Sequence, residues 1–248
     1  MKRNRNLFIA LGMAGSSAAP TKTPDQITGL TGWWDASDAT TLFSDAGTTP
    51  VIANGTVYRM TDKSGGAGNR YMEQSTAGNQ AAYKLNIQNS KSALLMDADD
   101  AMGTIAINNF MTGTIGYFFI VIKPTLLSDT KYLLGDGTYT RIYRSATGTS
   151  LLIYSGGYKQ TAEIATPVNE AVLITAWHDG GNIYIQKNNG DVSAPVVCGS
   201  PDDVSGLFIL LSLGSGYFCE MATYNQSVTN SDRAALNIGL CQKWGINP

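Results

Sequence analysis

The densest chemistry in the chain is the stretch GWWDASD, Gly32 to Asp38, where two adjacent tryptophans meet two acids and a serine. Aromatic rings stack on sugar faces and carboxylates bind hydroxyls, so this composition fits a carbohydrate site. It fits equally a strand that plugs a core and then turns. Successive side chains of a strand point to opposite faces, so Trp33 and Trp34 would not form one stacking platform. One is expected to fill a core and the other to lie beneath a loop or the C-terminal helix near Trp244. Asp35 and Asp38 are then expected to form turns with Ser37.

Other groups that could do chemistry are sparse. A glycosidase needs two carboxylates flanking the bond, about 5 Å apart for a retaining mechanism. On a strand that means acids at i, i+2 or i+4. No such run is present: Glu220 stands by itself on its expected strand, and Glu163 and Glu170 lie near turns. Asp97, Asp99 and Asp100 read as a polar turn after ALLM. The expectation is that the chain is not an enzyme. Asp62, Asn69, Asp97 and Asp99 could give a Ca²⁺ ion some oxygens, but the dense D-x-D-x-D-G pattern is missing, so no metal site or cofactor is expected. The one histidine, His178 in AWHDGG, reads as a solvated residue at a hairpin tip. The loop DKSGGAGN is Gly-rich but does not match the G-x-x-x-x-G-K-[ST] phosphate cradle, and no helix is expected directly after it.

Tyr139, Arg141 and Tyr143 alternate in GTYTRIYRS and would share one strand face, with Tyr154 and Tyr158 close behind. Aromatic and guanidinium groups on a sheet face suit glycan stacking, a protein contact or plain cross-strand pairing, and all three readings stay open. As candidate ligand-binding residues we take Tyr139, Arg141, Tyr143 and Tyr158.

These residues must be held by strands. The 248-residue chain is 43% hydrophobic and only 15% charged, with 27 glycines and 12 tyrosines to 7 phenylalanines, which favours strands and tight turns. A net charge of −2 and one short basic run, KRNR, exclude nucleic acid as the main partner. Cys198, Cys219 and Cys241 are odd in number and far apart, so they read as buried thiols of a protein folded in a reducing cytoplasm. No stretch reaches the roughly 18 apolar residues of a membrane span.

Residues 1–27 read as an extended anchoring arm and linker, and residues 28–248 as one domain. The arm places Leu7, Phe8, Ile9 and Leu11 beside Lys2, Arg3 and Arg5. Its apolar run is short and holds Gly12, which argues against a secretory signal. Lys2, Arg3, Arg5, Leu7, Phe8 and Ile9 are the candidate partner-binding residues.

In the body, YFFIVIKP (117–124) is expected to be a strand covered on both faces and stopped by Pro124. EAVLITAWHDGG and NIYIQKNNGDV should form a hairpin, and SGLFILLSLG with GYFCEMATY another. One helix is expected over 229–245, with Thr229 as N-cap, Leu236, Leu240 and Trp244 on one face, and Gly245 as the stop. Strands at this spacing imply an antiparallel sandwich or barrel.

Read in order, LTGWWDASD, VYRMTDKSGGAGNRYMEQ, NQAAYKLNIQNSKSALLMDADDAM, VLITAWHDGGNIYIQKNNGD and GYFCEMATYNQSVTNSDRAALNIGLCQKWGI resemble successive segments of the LamG-like domains. Those belong to the concanavalin A-like lectin-glucanase superfamily. The resemblance spans about residues 28–246 and departs from the family pattern at Ala98, where a glycine is usual. It implies an all-β, two-sheet antiparallel jelly-roll sandwich closed by one short C-terminal helix. That fold serves lectins, glycosidases, adhesion modules and many bacteriophage virion proteins. The expectation is a virion surface subunit, made in the host cytoplasm and docked by its arm on a capsid or tail protein, in a multi-copy assembly or homo-oligomer. The alternative is a lectin-like module of a secreted or surface protein. A host-surface glycan is a possible partner in either case.

Overall fold

A computed structural model describes residues 20–66, 70–97, 100–105, 115–126, 131–135, 140–144, 148–154, 158–199, 209–211 and 215–248. Their strands in chain order are β1 (Leu30–Asp35), β2 (Leu42–Phe43), β3 (Arg59–Thr61), β4 (Tyr71–Glu73), β5 (Ala82–Gln88), β6 (Lys91–Asp97), β7 (Ala101–Ile105), β8 (Ile115–Leu126) and β9 (Lys131–Gly135). There follow β10 (Thr140–Arg144), β11 (Gly148–Tyr154), β12 (Tyr158–Gln160), β13 (Ile164–Ala165), β14 (Val172–Asp179), β15 (Asn182–Lys187), β16 (Val196–Val197), β17 (Ile209–Leu211) and β18 (Ser215–Tyr224). Helix α1 (Asn230–Trp244) closes the chain.

Two antiparallel sheets result. The first runs β16-β15-β14-β8-β18-β6-β5, with β1 added beside β18; the second runs β12-β11-β10-β9-β17-β7-β4-β3-β2, with β13 on β11. The sheets enclose an interior of apolar side chains, so the expected all-β sandwich with one C-terminal helix is the observed architecture.

β8 shows why the first sheet sits in the middle of the molecule. Phe118, Ile120 and Ile122 point into the sandwich, while Tyr117, Phe119 and Val121 point the other way, under α1. A strand apolar on both faces needs cover on both, and each side chain fully buried contributes roughly 1.5–3 kcal/mol. The cover on the outer side comes from Leu236, Leu240, Cys241 and Trp244 of α1, joined by Ile27 and Ile246. The three cysteines are buried free thiols, as expected.

The helix forms where its caps place it. Thr229 Oγ1 accepts from Asp232 N, and Gly245 adopts φ +64, a left-handed conformation that stops the helix. The freed C-terminal carbonyls are taken by amides of the β5–β6 connection: Gln88 Nε2 donates to Trp244 O and Asn89 Nδ2 to Lys243 O.

Three expectations need correction. β8 runs on through Pro124 to Leu126, because Pro124 stands beside a register irregularity near Gly216 where its missing N–H is tolerated. β17 and β18 are not a hairpin: β17 pairs β7 and β9 in one sheet, and β18 pairs β8, β6 and β1 in the other. His178 is not a solvated tip residue. It lies inside β14, fully buried between Ile183 of β15 and Gly116 of β8, and the turn falls two residues later at Gly180, φ +88.

The expected linker is also more than a linker from Lys22 onward. Lys22 N donates to Ala235 O, Tyr224 Oη donates to Pro24 O, and Ile27 is buried under the helix side of the sheet. Gly239 makes this docking possible, because a Cβ there would stand 2.4 Å from Lys22 O.

Candidate functional site

The alternation read for the tryptophans holds. Trp34 is fully buried in the sandwich interior, its ring lying over Gly32, where any side chain would meet it at 2.2 Å. Trp33 points the opposite way and is half-buried on the helix side. Its indole Nε1 donates to Glu220 Oε1 at 2.8 Å, and Trp244 Nε1 donates to Glu220 Oε2 at 2.7 Å. Trp33 therefore reaches Trp244 through a shared carboxylate that the sequence did not reveal.

Glu220 is aimed there by a bulge. Simple alternation from Phe218, which faces the interior, would send Glu220 inward too. The β18–β8 register slips between Phe218 and Glu220, so Cys219 and Glu220 both lie on the outer face and Met221 returns to the interior. The bulge coincides with the point where β18 changes its other neighbour from β6 to β1.

This puts Glu220 directly across from Asp35 in the β1–β18 register. Two carboxylates facing each other across strands repel. Lys243 of α1 resolves the conflict, with Nζ 2.8 Å from Asp35 Oδ2 and 2.6 Å from Glu220 Oε2. Lys63 adds a second ammonium, 3.1 Å from Asp35 and 2.8 Å from Asp38, and lies 4.5 Å over the Trp33 ring. Asp35 also accepts from Ser37 N and Oγ, which is the turn-forming role expected of it. Asp38 accepts from Thr40 N and Oγ1 likewise.

The environments push the two carboxyls apart. Burial raises Asp35, but the ammonium of Lys243, its hydrogen bond and those of Ser37, and Lys63 outweigh burial and hold it below the usual carboxylate range. Burial and the facing Asp35 charge push Glu220 up, against the pull of Lys243 and Trp244. Asp62, on the adjoining loop, is raised by burial while it accepts from Trp33 N, Ser64 N and Ser64 Oγ.

A cavity of about 520 Å³ opens beside this cluster, between α1 and residues 21–26. Trp33, Glu220 and Lys243 line it, and Asp35 does not. Chemically, the carboxylate pair is a locked ion-pair network: Glu220 has donors on both oxygens and is 1% exposed. The cavity beside it can hold a small molecule against an indole edge. Among the described residues no cluster of three or more His, Cys, Asp or Glu is placed to hold a metal ion. Asp97 and Asp100 form a local turn, Asp100 Oδ2 accepting from Asp97 N at 2.9 Å; Asn69 and Asp99 lie outside the described residues.

The other candidates fall elsewhere. Lys2, Arg3, Arg5, Leu7, Phe8, Ile9 and Tyr139 lie outside the described residues. Arg141 is placed in β10 and Tyr158 in β12, strands at opposite edges of β11. Tyr143 is buried, 8% exposed, with its hydroxyl against Gln160 Nε2. β10 and β12 belong to the second sheet, whereas β1 with Trp33 belongs to the first. The residues that sequence reasoning missed are Lys63, Glu220 and Lys243. A signal for the bulge was present in GYFCEMATY: interior residues at 218 and 221 need one extra residue between them.

No family model matches the chain, and no curated protein does. Solved structures do. Domain 4 of AbnA, a GH43 extracellular arabinanase from Geobacillus stearothermophilus, in complex with arabinotriose, is similar at TM-score 0.57 and 14% identity, covering 83% of this chain and 97% of that one. A GH54 α-L-arabinofuranosidase variant soaked with 4-nitrophenyl α-L-arabinofuranoside aligns at TM-score 0.58 and 14% identity, covering 90% of this chain and 60% of that one. The binding domain of botulinum neurotoxin DC in complex with SialylT aligns at 0.55 and 12%, covering 83% and 52%. The chain thus spans nearly all of the arabinanase domain but little more than half of the other two. The shared feature is a β-sandwich found in carbohydrate-binding and carbohydrate-active domains.

Proposed function

We propose that this protein is a non-catalytic structural and interaction protein: a virion surface subunit whose N-terminal arm docks on a capsid or tail protein and whose β-sandwich projects from the particle. The observation that carries the non-catalytic part is how the facing carboxylates Asp35 and Glu220 are used. Asp35 and Glu220 are committed to Lys243, Lys63 and two indoles, and only Glu220 borders the cavity. Hydrolysis of a glycosidic bond needs both carboxyls at the bond. The arm reading is supported by how the chain is tied down just after the arm: Lys22 N donates to Ala235 O and its ammonium pairs with Asp232, both on α1. The resemblance to LamG-like domains of phage particles supplies the assembly. Deleting residues 2–20 should leave thermal stability unchanged and abolish incorporation into particles in a co-assembly assay. Normal incorporation of the truncated chain would overturn the anchoring role.

A second reading is favoured by the cavity at Trp33 and by structural neighbours solved with sugars. In it the sandwich also binds carbohydrate, as a surface module that meets a host glycan. Glycan-array binding by the purified chain tests it, and silence across the array would remove it.

A further inference from the structure

We propose that the cavity between α1 and residues 21–26 is a subsite for one or two units of a neutral saccharide. The proposal rests on the carbohydrate-binding reading and gives it a location on the helix side of the sandwich. The volume of about 520 Å³ lies in the range of small-molecule sites, about 300–1,000 Å³.

The lining has the composition a sugar needs. Trp33 gives an apolar ring edge, held in place by its bond to Glu220. Lys63, which covers part of that indole, does not line the cavity, so the surface presented to the cavity is not the one under the ammonium. Around it stand exposed hydroxyl and amide groups. Among the described residues, the side chains of Thr21 and Gln242 carry no hydrogen bond, and both line the cavity. They are open to a ligand's hydroxyls, and a pre-positioned ring loses little freedom on binding.

The charges point to a neutral ligand. Every charged group of the lining already has its counter-charge on the protein. Lys22 is 2.5 Å from Asp232, Lys243 is shared by Asp35 and Glu220, and Glu220 is further held by two indole N–H groups. An anion would have to draw Lys22 from Asp232, and a cation would have to displace Lys243. A neutral polyol disturbs neither.

One wall of the cavity is the segment leading back to the arm, and that wall depends on Gly239. Its missing Cβ lets Lys22 O approach the helix, where a methyl would stand at 2.4 Å. Gly239→Ala therefore displaces the wall without touching the lining side chains of α1.

The test uses the full chain, titrated with arabinotriose, cellotriose, lactose and 3′-sialyllactose by saturation-transfer NMR and tryptophan fluorescence. At least one neutral sugar should bind with a Kd of about 1 mM. The double variant Thr21→Val/Gln242→Leu should bind it about tenfold more weakly with an unchanged Tm. Gly239→Ala should lose binding as well. Neutral-sugar binding that survives undiminished in both variants overturns the cavity assignment and leaves carbohydrate binding standing elsewhere on the chain. Tighter binding of 3′-sialyllactose than of lactose overturns the neutral class. No binding of any of the four at about 20 mM overturns the cavity assignment and removes the carbohydrate reading with it.

Discussion

The two faces of the β8–β14–β15–β18 sheet are made by the same strands and solve different problems. The inner face is apolar over Trp34, Phe118, Ile120, Ile174, Ile185 and Met221, with His178 at the end of β14 a buried polar exception, and meets the second sheet. The outer face mixes apolar residues with buried polar ones. Thr175 donates to Asn237 of α1, Asn237 donates to Gln186, and Glu220 gathers Trp33, Trp244 and Lys243. Apolar burial is non-directional, so it holds two sheets together without fixing every contact. Hydrogen bonds and ion pairs are directional. On the outer face they fix where one helix lies on the sheet, and with it the cavity and the segment that leads to the arm. Trp33 and Trp34 are the two faces in miniature.

The sharpest way to separate the faces is to remove each tryptophan. Trp34→Ala empties a fully buried site over Gly32, and should cost about 3–5 kcal/mol in urea denaturation. Trp33→Ala removes a half-exposed ring and one hydrogen bond, and should cost about 2 kcal/mol. Equal losses would mean that the faces are not energetically distinct.

Glu220 tests the outer face itself. Glu220→Ala leaves two indole N–H groups without their acceptor and removes half of what holds Lys243, at about 3 kcal/mol. The pair also sets the sign of pH dependence. Asp35 is held below its unfolded value of about 3.9, so its contribution is present above that pH and is lost as pH falls through the lower folded value. Glu220 is raised, so its contribution is fullest below about pH 4.3 and is lost as pH rises through the folded value. Stability measured from pH 2 to 7 should therefore change slope in opposite directions: Asp35→Asn flattens the acid loss, and Glu220→Gln steepens the rise with pH. A common direction would show that the two carboxyls do not titrate as described.

The faces also differ in how much of them can be read from sequence. Alternation placed the two tryptophans on opposite sides because it is a property of one strand. The sandwich class followed from strand spacing and glycine turns, which are local as well. The charge cluster was hidden for the opposite reason. Asp35 and Lys243 are 208 residues apart, and Glu220 faces them only because a bulge breaks alternation at Cys219. A bulge is decided by register with neighbouring strands, and so are the continuation of β8 through Pro124 and the departure of β17 to the other sheet. His178 was misread because its polarity next to Asp-Gly-Gly signals a turn, while pairing on both sides keeps it in the sheet.

The smallest expected effect concerns α1, which the sequence located from its own caps. Thr229 Oγ1 accepts from Asp232 N, and Asp232 in turn pairs with Lys22 of the N-terminal segment. Thr229→Ala should cost about 1 kcal/mol, a typical N-cap loss. The loss should be felt on the outer face alone. Hydrogen exchange should speed up in the first turn of α1 and at Lys22, whose N–H is bonded to Ala235 O, while the amides of β8 and β14 keep their protection. A uniform rise in exchange across the β8–β14 pair would show that the helix and the sandwich interior unfold as one unit. The directional contacts of the outer face would then be no more separable from the core than the core is from itself.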